Sequence, residues 1–251
     1  MSTTITNALP DIPRLCTGIC EWLACVVYLL IIYRRVPLRR TIAVGLIGLP
    51  AMIAIQYFDG VMPIWFWIIG MLLAFAGMWA IILFGTGTGK REGMYIAARA
   101  FVLAELVASL HWQLVMFLNL GENPERAQLF SLLLLVVTYA ACFTVAWLIE
   151  RGNFANDAPT VATAQLAIGT GAITIMTFAM SNLSFVSTNT PFSGTVGQEV
   201  FYIRTLVDFC GFAILYAQQE QARRMEASAE LASINAQLES QHQEYLASKE
   251  N

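Results

Sequence analysis

The chain has 251 residues, of which 57% are hydrophobic and 12% are charged. Soluble globular domains carry roughly 25% charged residues, so this composition excludes an ordinary soluble protein. The formal net charge of −3 also gives no electrostatic basis for binding nucleic acid.

Long apolar stretches recur along the chain and predict an all-α, polytopic membrane protein. About 20 consecutive apolar residues form a helix that crosses the bilayer core. We predict seven transmembrane helices, at residues 15–33, 41–58, 63–84, 94–118, 128–149, 161–184 and 198–217. This divides the chain into a transmembrane domain, residues 1–217, and a cytosolic helical linker, residues 218–251.

Basic residues predict the orientation of these spans, because basic loops are retained in the cytosol during insertion. The connections that follow the first, third, fifth and seventh spans contain Arg34, Arg35, Arg39, Arg40, Lys90, Arg91, Arg151, Arg223 and Arg224. Only Arg14 and Arg126 lie on the opposite side. We therefore expect the N-terminus outside and the C-terminus inside.

Ionisable residues inside the predicted spans are the main candidates for function, because such groups are costly in lipid. They are Glu21, Arg99, Glu105, His111, Arg204 and Asp208. Within the fourth span, Arg99, Glu105 and His111 are spaced by six residues, which turns each about 120° from the others. We therefore expect their partners on neighbouring helices. The predicted polar network comprises Glu105, His111, Arg204 and Asp208, with Arg99, Glu21 and Trp112 as secondary members.

Arg204 and Asp208 are four residues apart, on one face of the last span. One interpretation is a self-neutralising pair that lowers the cost of insertion. The other is an exchangeable pair, in which Arg204 binds either Asp208 or an acid on another helix, such as Glu21 or Glu105. The second interpretation would give the last helix two discrete states.

Other features favour ordinary structural roles. His111 is more typical of a hydrogen-bonded helix contact than of a metal ligand, and the sequence predicts no metal or cofactor site. The glycine-rich segment 85–90 lacks the spacing of a phosphate-binding loop, so we interpret it as a flexible cytosolic connection. Trp112, like several other tryptophans, lies near a predicted span end, where an indole ring suits the headgroup region.

The tail after the seventh span predicts a helix that continues from the membrane. Neither glycine nor proline occurs between Phe212 and Asn251. Apolar residues recur at alternating spacings of three and four, at Ala227, Leu231, Ile234, Leu238 and Tyr245. Polar residues share the same seam, so the pattern predicts a weak coiled coil.

Two segments resemble a known family. Residues 99–114, RAFVLAELVASLHWQL, are similar to the fourth membrane helix of GHKL-type bacterial sensor histidine kinases, which are related to peptide-pheromone receptor kinases. Residues 201–216, FYIRTLVDFCGFAILY, resemble the last membrane helix of the same group. The resemblance implies a homodimer in the bacterial cytoplasmic membrane that belongs to a two-component system and acts on a response regulator.

The chain departs from this family because it has no His-Asp phosphoacceptor segment, Asn-box or Gly-rich ATP lid. We therefore expect no enzymatic activity from this segment, and ATP and Mg²⁺ are expected only in a kinase domain outside it. The predicted function is the membrane input module of such a kinase, which senses an extracellular or membrane-borne small ligand or peptide. The alternative is a small-molecule or ion transporter or channel that uses the same buried charges.

Overall fold

The computed structural model describes residues 14–32, 36–61, 66–118, 124–154, 164–189 and 195–250. These residues form seven α-helices and no strand, which confirms the predicted all-helical class. The helices are α1 (Arg14–Ile32), α2 (Leu38–Val61), α3 (Trp67–Thr86), α4 (Lys90–Phe117), α5 (Pro124–Asn153), α6 (Ala164–Asn189) and α7 (Thr195–Glu250).

Five of the described helices, α1 to α5, are long and apolar enough to cross a membrane. Their apolar spans are Leu15–Ile32, Leu38–Asp59, Ile68–Thr86, Lys90–Val115 and Phe130–Asn153. The apolar stretch in α6, Leu166–Ser181, is shorter. The chain is thus a multi-pass membrane protein by the length and composition of its helices.

Helix α4 lies at the centre of the bundle. In α4, 83% of the apolar span is buried inside the protein, against 22% to 50% in the other four spans. It packs against α1, α3, α5, α6 and α7. Its sequence explains this position, because small residues such as Ala97, Ala100 and Ala104 allow neighbouring backbones to approach closely.

Successive helices run antiparallel where they pack. In α4 and α5, Arg99 contacts Glu150 and His111 contacts Tyr139, so residues early in one helix meet residues late in the other. Large apolar side chains such as Ile47 cover the outside of the bundle, where lipid replaces protein as the neighbour. Polar side chains are consequently concentrated in the interior.

The glycine-rich connection between α3 and α4 is a tight turn. Gly87 has φ 67°, a left-handed conformation that glycine adopts without steric cost, and its N–H donates to the Leu83 carbonyl at 3.1 Å. The hydroxyl groups of Thr86 and Thr88 are hydrogen-bonded at 3.0 Å. This turn joins the ends of α3 and α4 within three residues.

Helix α7 is continuous over 56 residues. The prediction that the last helix runs without a break into the tail is therefore confirmed as far as Glu250. Residues 224–250 extend beyond the bundle, and at about 1.5 Å per residue they form a rod of roughly 40 Å. Apolar side chains on this rod are exposed, including Leu231 (62%) and Leu238 (59%).

Candidate functional site

Arg204 of α7 joins two acids inside the bundle. Its Nη2 donates to Oε2 of Glu105 on α4, and its Nε lies 3.9 Å from Oδ2 of Asp208. All three residues are buried, with exposed fractions of 5% for Glu105, 7% for Arg204 and 0% for Asp208. Of the two acids, Glu105 is the closer partner. Two of the three partners that the sequence suggested for Arg204, Glu105 and Asp208, are thus present together, and we call Glu105, Arg204 and Asp208 the charge triad.

The Asp208 carboxylate has polar neighbours on two further sides. Ser109 Oγ of α4 donates to Asp208 Oδ2 at 3.0 Å. Thr177 of α6 lies beside the same carboxylate. Among the described residues, neither Asp208 Oδ1 nor Thr177 Oγ1 has a hydrogen-bond partner within normal geometry. The charge triad therefore lies where α4, α6 and α7 meet.

Gly211 allows α6 and α7 to approach each other next to this site. A Cβ atom at this position would lie 3.0 Å from Ile173 Cγ2 and 3.7 Å from Val102 Cγ1. The first distance is tighter than ordinary van der Waals contact, so a larger residue would push α6 away from α7. A glycine here keeps Thr177 within reach of Asp208.

Arg99 forms a second polar cluster, which lies closer to the tail than the charge triad does. It is fully buried and pairs through Nη2 with Glu150 of α5. Its Nη1 donates to the Tyr95 hydroxyl at 3.1 Å and to the Leu215 carbonyl of α7 at 2.8 Å. The Tyr95 hydroxyl in turn donates to Gln219 Oε1 at 2.6 Å. We call these five residues the lower cluster.

Aromatic rings complete the surroundings of Arg99. Its guanidinium carbon lies 5.6 Å from the centroid of the Tyr95 ring and 5.7 Å from that of Phe154, distances typical of cation–π contacts. The lower cluster thus binds α4 to α5 through a salt bridge and to α7 through hydrogen bonds. Because the acceptor on α7 is the backbone carbonyl of Leu215, the geometry of this hydrogen bond depends directly on the position of α7.

Glu21 of α1 is hydrogen-bonded to a residue of α2. Both of its carboxylate oxygens accept hydrogen bonds from Gln56 Nε2 of α2, each at 2.9 Å. Of the two acids on other helices suggested as partners of Arg204, Glu105 forms the salt bridge. The Glu21–Gln56 contact instead joins α1 to α2.

His111 and Trp112 differ in detail from their predicted settings. The His111 ring packs edge-on against Tyr139 of α5, with centroids 5.8 Å apart, and its Nδ1 has no hydrogen-bond partner among the described residues. Trp112 lies three residues before the end of the α4 apolar span, and protein neighbours bury its ring, which is 5% exposed. The reason is the central position of α4, which has protein neighbours even towards its end.

Several residues of the two clusters were not singled out in the sequence. Glu150 lies one residue beyond the predicted fifth span and next to Arg151, so it resembles a loop charge. Tyr95 lies four residues before Arg99, and this helical spacing was a usable signal. Ser109, Thr177 and Gln219 were also missed, as was Gln56, the hydrogen-bond partner of Glu21.

The described clusters consist of ion pairs and hydrogen bonds. Within the described ranges, no group of three or more His, Cys, Asp or Glu side chains could hold a metal ion. Arg204 and Arg99 are each paired with an acid on another helix.

No family model, curated protein or solved structure matches the chain. The resemblance to GHKL-type sensor kinases therefore stays a prediction. The two segments that carry it, residues 99–114 and 201–216, are in direct contact through the Glu105–Arg204 salt bridge and the Arg99–Leu215 hydrogen bond.

Proposed function

We propose that this chain is the membrane input module of a GHKL-type sensor histidine kinase. It receives an extracellular or membrane-borne ligand and transmits the signal through α7 to a cytosolic kinase domain. The observation that carries the proposal is the continuity of α7, which runs from the charge triad to the end of an exposed rod. A change at Arg204 therefore acts on the same rigid helix as the tail.

All seven helices cross the membrane in this proposal. The pairing of α7 with α4 supports it, because Glu105 meets Arg204 and Tyr95 meets Gln219, so that residues 204–219 lie beside the apolar span of α4. Helix α6 packs against the same part of α7, because Ile173 of α6 lies next to Gly211 of α7. Arg204 and Asp208 lower the hydropathy of α7, which is why its apolar character is weaker.

The N-terminus is outside and the C-terminus inside in this proposal. Basic residues at one end of the bundle support this orientation, since Arg223 of α7 donates to the Gly152 carbonyl beside Arg151. Lys90, at the start of α4, belongs to the same set of connections. Such basic ends are retained in the bacterial cytosol.

The tail serves as a dimeric connection to the kinase domain in this proposal. Leu231 and Leu238 are seven residues apart and more than half exposed, and these are the positions that a partner helix would cover in a coiled coil. Arg224, also in the tail, pairs with Glu220 on its own helix at 3.0 Å. The full kinase would then phosphorylate a response regulator.

A transporter or channel is the alternative function, and the charge triad would then line a substrate or ion path. Many transporters bind substrate at helices interrupted near the membrane centre. Helix α2 continues through Pro50, and the described part of α7 is unbroken at Arg204. These features favour the input module.

The proposal is tested by fusing the full chain to the phosphoacceptor and ATP-binding domains of a GHKL kinase. Residues are inserted one at a time into the tail after Ala227, and autophosphorylation is measured in lipid vesicles. If α7 transmits a rotation or shift, activity varies with helical phase and returns after insertion of a full heptad. Activity that is independent of insertion length contradicts the proposal. A chain without its tail that moves solute across vesicles would favour the transporter.

A further inference from the structure

The charge triad contains more negative than positive charge. Glu105 and Asp208 are both acids, whereas Arg204 supplies a single positive charge, and an arginine stays protonated in proteins. With both acids ionised, the triad would carry one net negative charge. Buried charges without a counter-charge are strongly unfavourable, and the group usually becomes neutral instead.

The described groups around the triad do not supply the missing positive charge. In the described part of the chain, the other titratable side chains near this part of α4 belong to three helices. They are Cys16, Cys20 and Glu21 of α1, His111 of α4, and Tyr139 and Cys142 of α5. Residues 164–189 of α6 contain no charged residue. Arg99, the other buried cation of α4, is paired with Glu150.

The hydrogen bonds indicate which acid becomes neutral. Glu105 is the direct partner of Arg204 Nη2, so it is the acid that needs its negative charge. Asp208 is farther from Arg204, and its Oδ2 already accepts a hydrogen bond from Ser109. Its Oδ1 has no partner among the described residues. The Asp208 side chain is fully buried beside Thr177, whose hydroxyl oxygen also lacks a partner among them.

We propose that Asp208 binds one proton on Oδ1, and that the resulting hydroxyl donates a hydrogen bond to Thr177 Oγ1. The charge triad is then a proton-binding site at the junction of α4, α6 and α7. The proton makes the triad electrically neutral and satisfies two buried oxygen atoms at once. It is taken from bulk water and returned to it, with no other bond formed or broken.

The proton also determines the partner of Arg204. While Asp208 is protonated, Glu105 is the only anion of the triad and holds Arg204. When the proton leaves, Asp208 becomes a second anion 3.9 Å from Arg204 Nε and competes for it. This exchange acts on α7, and its effect on a kinase rests on the proposed function, whereas the proton site itself does not.

The test is infrared spectroscopy on the full chain in lipid vesicles at neutral and alkaline pH. A protonated carboxylic acid has a carbonyl band separate from that of a carboxylate. We expect such a band at neutral pH, its loss at alkaline pH, and its absence in Asp208→Asn. The matched control is Glu21→Gln, another buried acid, which should retain the band. A band absent from the native chain at neutral pH, or retained in Asp208→Asn, overturns the proposal.

A second variant keeps the test decisive if Asp208→Asn does not fold. Thr177→Val removes the acceptor of the proposed hydrogen bond without changing any charge. We expect the band to remain but to shift to higher frequency, because a carboxylic acid without a hydrogen bond has a stiffer carbonyl. A band at an unchanged frequency in Thr177→Val contradicts the assignment to Oδ1.

Discussion

Replacement of Arg99 by methionine should be among the most destabilising single changes in the bundle. Arg99 is fully buried, and its loss would leave Glu150 as a buried charge without its partner. Breaking a buried ion pair in this way costs about 3–5 kcal/mol. The replacement also removes the hydrogen bonds from Arg99 to the Tyr95 hydroxyl and to the Leu215 carbonyl, and this loss is included in that cost. We therefore expect Arg99→Met to lower the free energy of unfolding by about 3–5 kcal/mol.

The assay is reversible unfolding in bicelles, with the double variant Arg99→Met/Glu150→Met completing a mutant cycle. Because the double variant leaves no buried charge, it should be more stable than Arg99→Met alone. The matched control is Arg151→Met, which is adjacent to Glu150 but exposed, with its guanidinium 5.1 Å from the Trp147 ring. The control should cost at most about 1 kcal/mol. A loss below about 0.5 kcal/mol for Arg99→Met, or strictly additive effects in the cycle, would refute the reasoning.

Three other changes test the packing, a buried acid and the tail. Gly211→Leu should destabilise by about 1–3 kcal/mol through overpacking, whereas Gly171→Ala, at a position with nothing within 4 Å, should be neutral or stabilising in the same assay. Gln56→Leu should cost about 1.5–3 kcal/mol, because it removes the hydrogen bonds to a buried carboxylate of α1. Leu231→Glu and Leu238→Glu should abolish chemical cross-linking between tails in vesicles while leaving bundle stability unchanged, and cross-linking that persists would contradict the coiled coil.

The sequence predicted the helices well, because apolar length is a direct physical requirement of the membrane interior. The spacing of Arg99, Glu105 and His111 also predicted correctly that each would find its neighbours on another helix. Their contacts are Glu150, Arg204 and the Tyr139 ring. Continuity of α7 followed from the lack of glycine and proline in the tail.

The specific pairings could not be predicted, because they depend on how helices rotate and pack. Glu150 resembled a loop charge next to Arg151, yet α5 continues to Asn153 and turns it towards Arg99. The position of Trp112 near a span end suggested a place in the headgroup region, yet its ring is buried by protein. Its burial follows from the central position of α4, which is a property of the whole bundle and not of the segment.

Coupling of the charge triad to the tail is tested most directly by a distance measurement between the bundle and the tail. Spin labels are attached at Arg151 of α5 and Ser228 of α7, with the native cysteines replaced, and distances are measured by electron paramagnetic resonance in lipid vesicles. Glu105→Gln removes the negative charge of the closer partner of Arg204. We therefore predict a changed distance distribution relative to the native chain. Glu21→Gln, which alters a buried acid hydrogen-bonded to α2, should leave it unchanged. An identical distribution in folded Glu105→Gln and in the native chain would contradict the coupling of the charge triad to the tail.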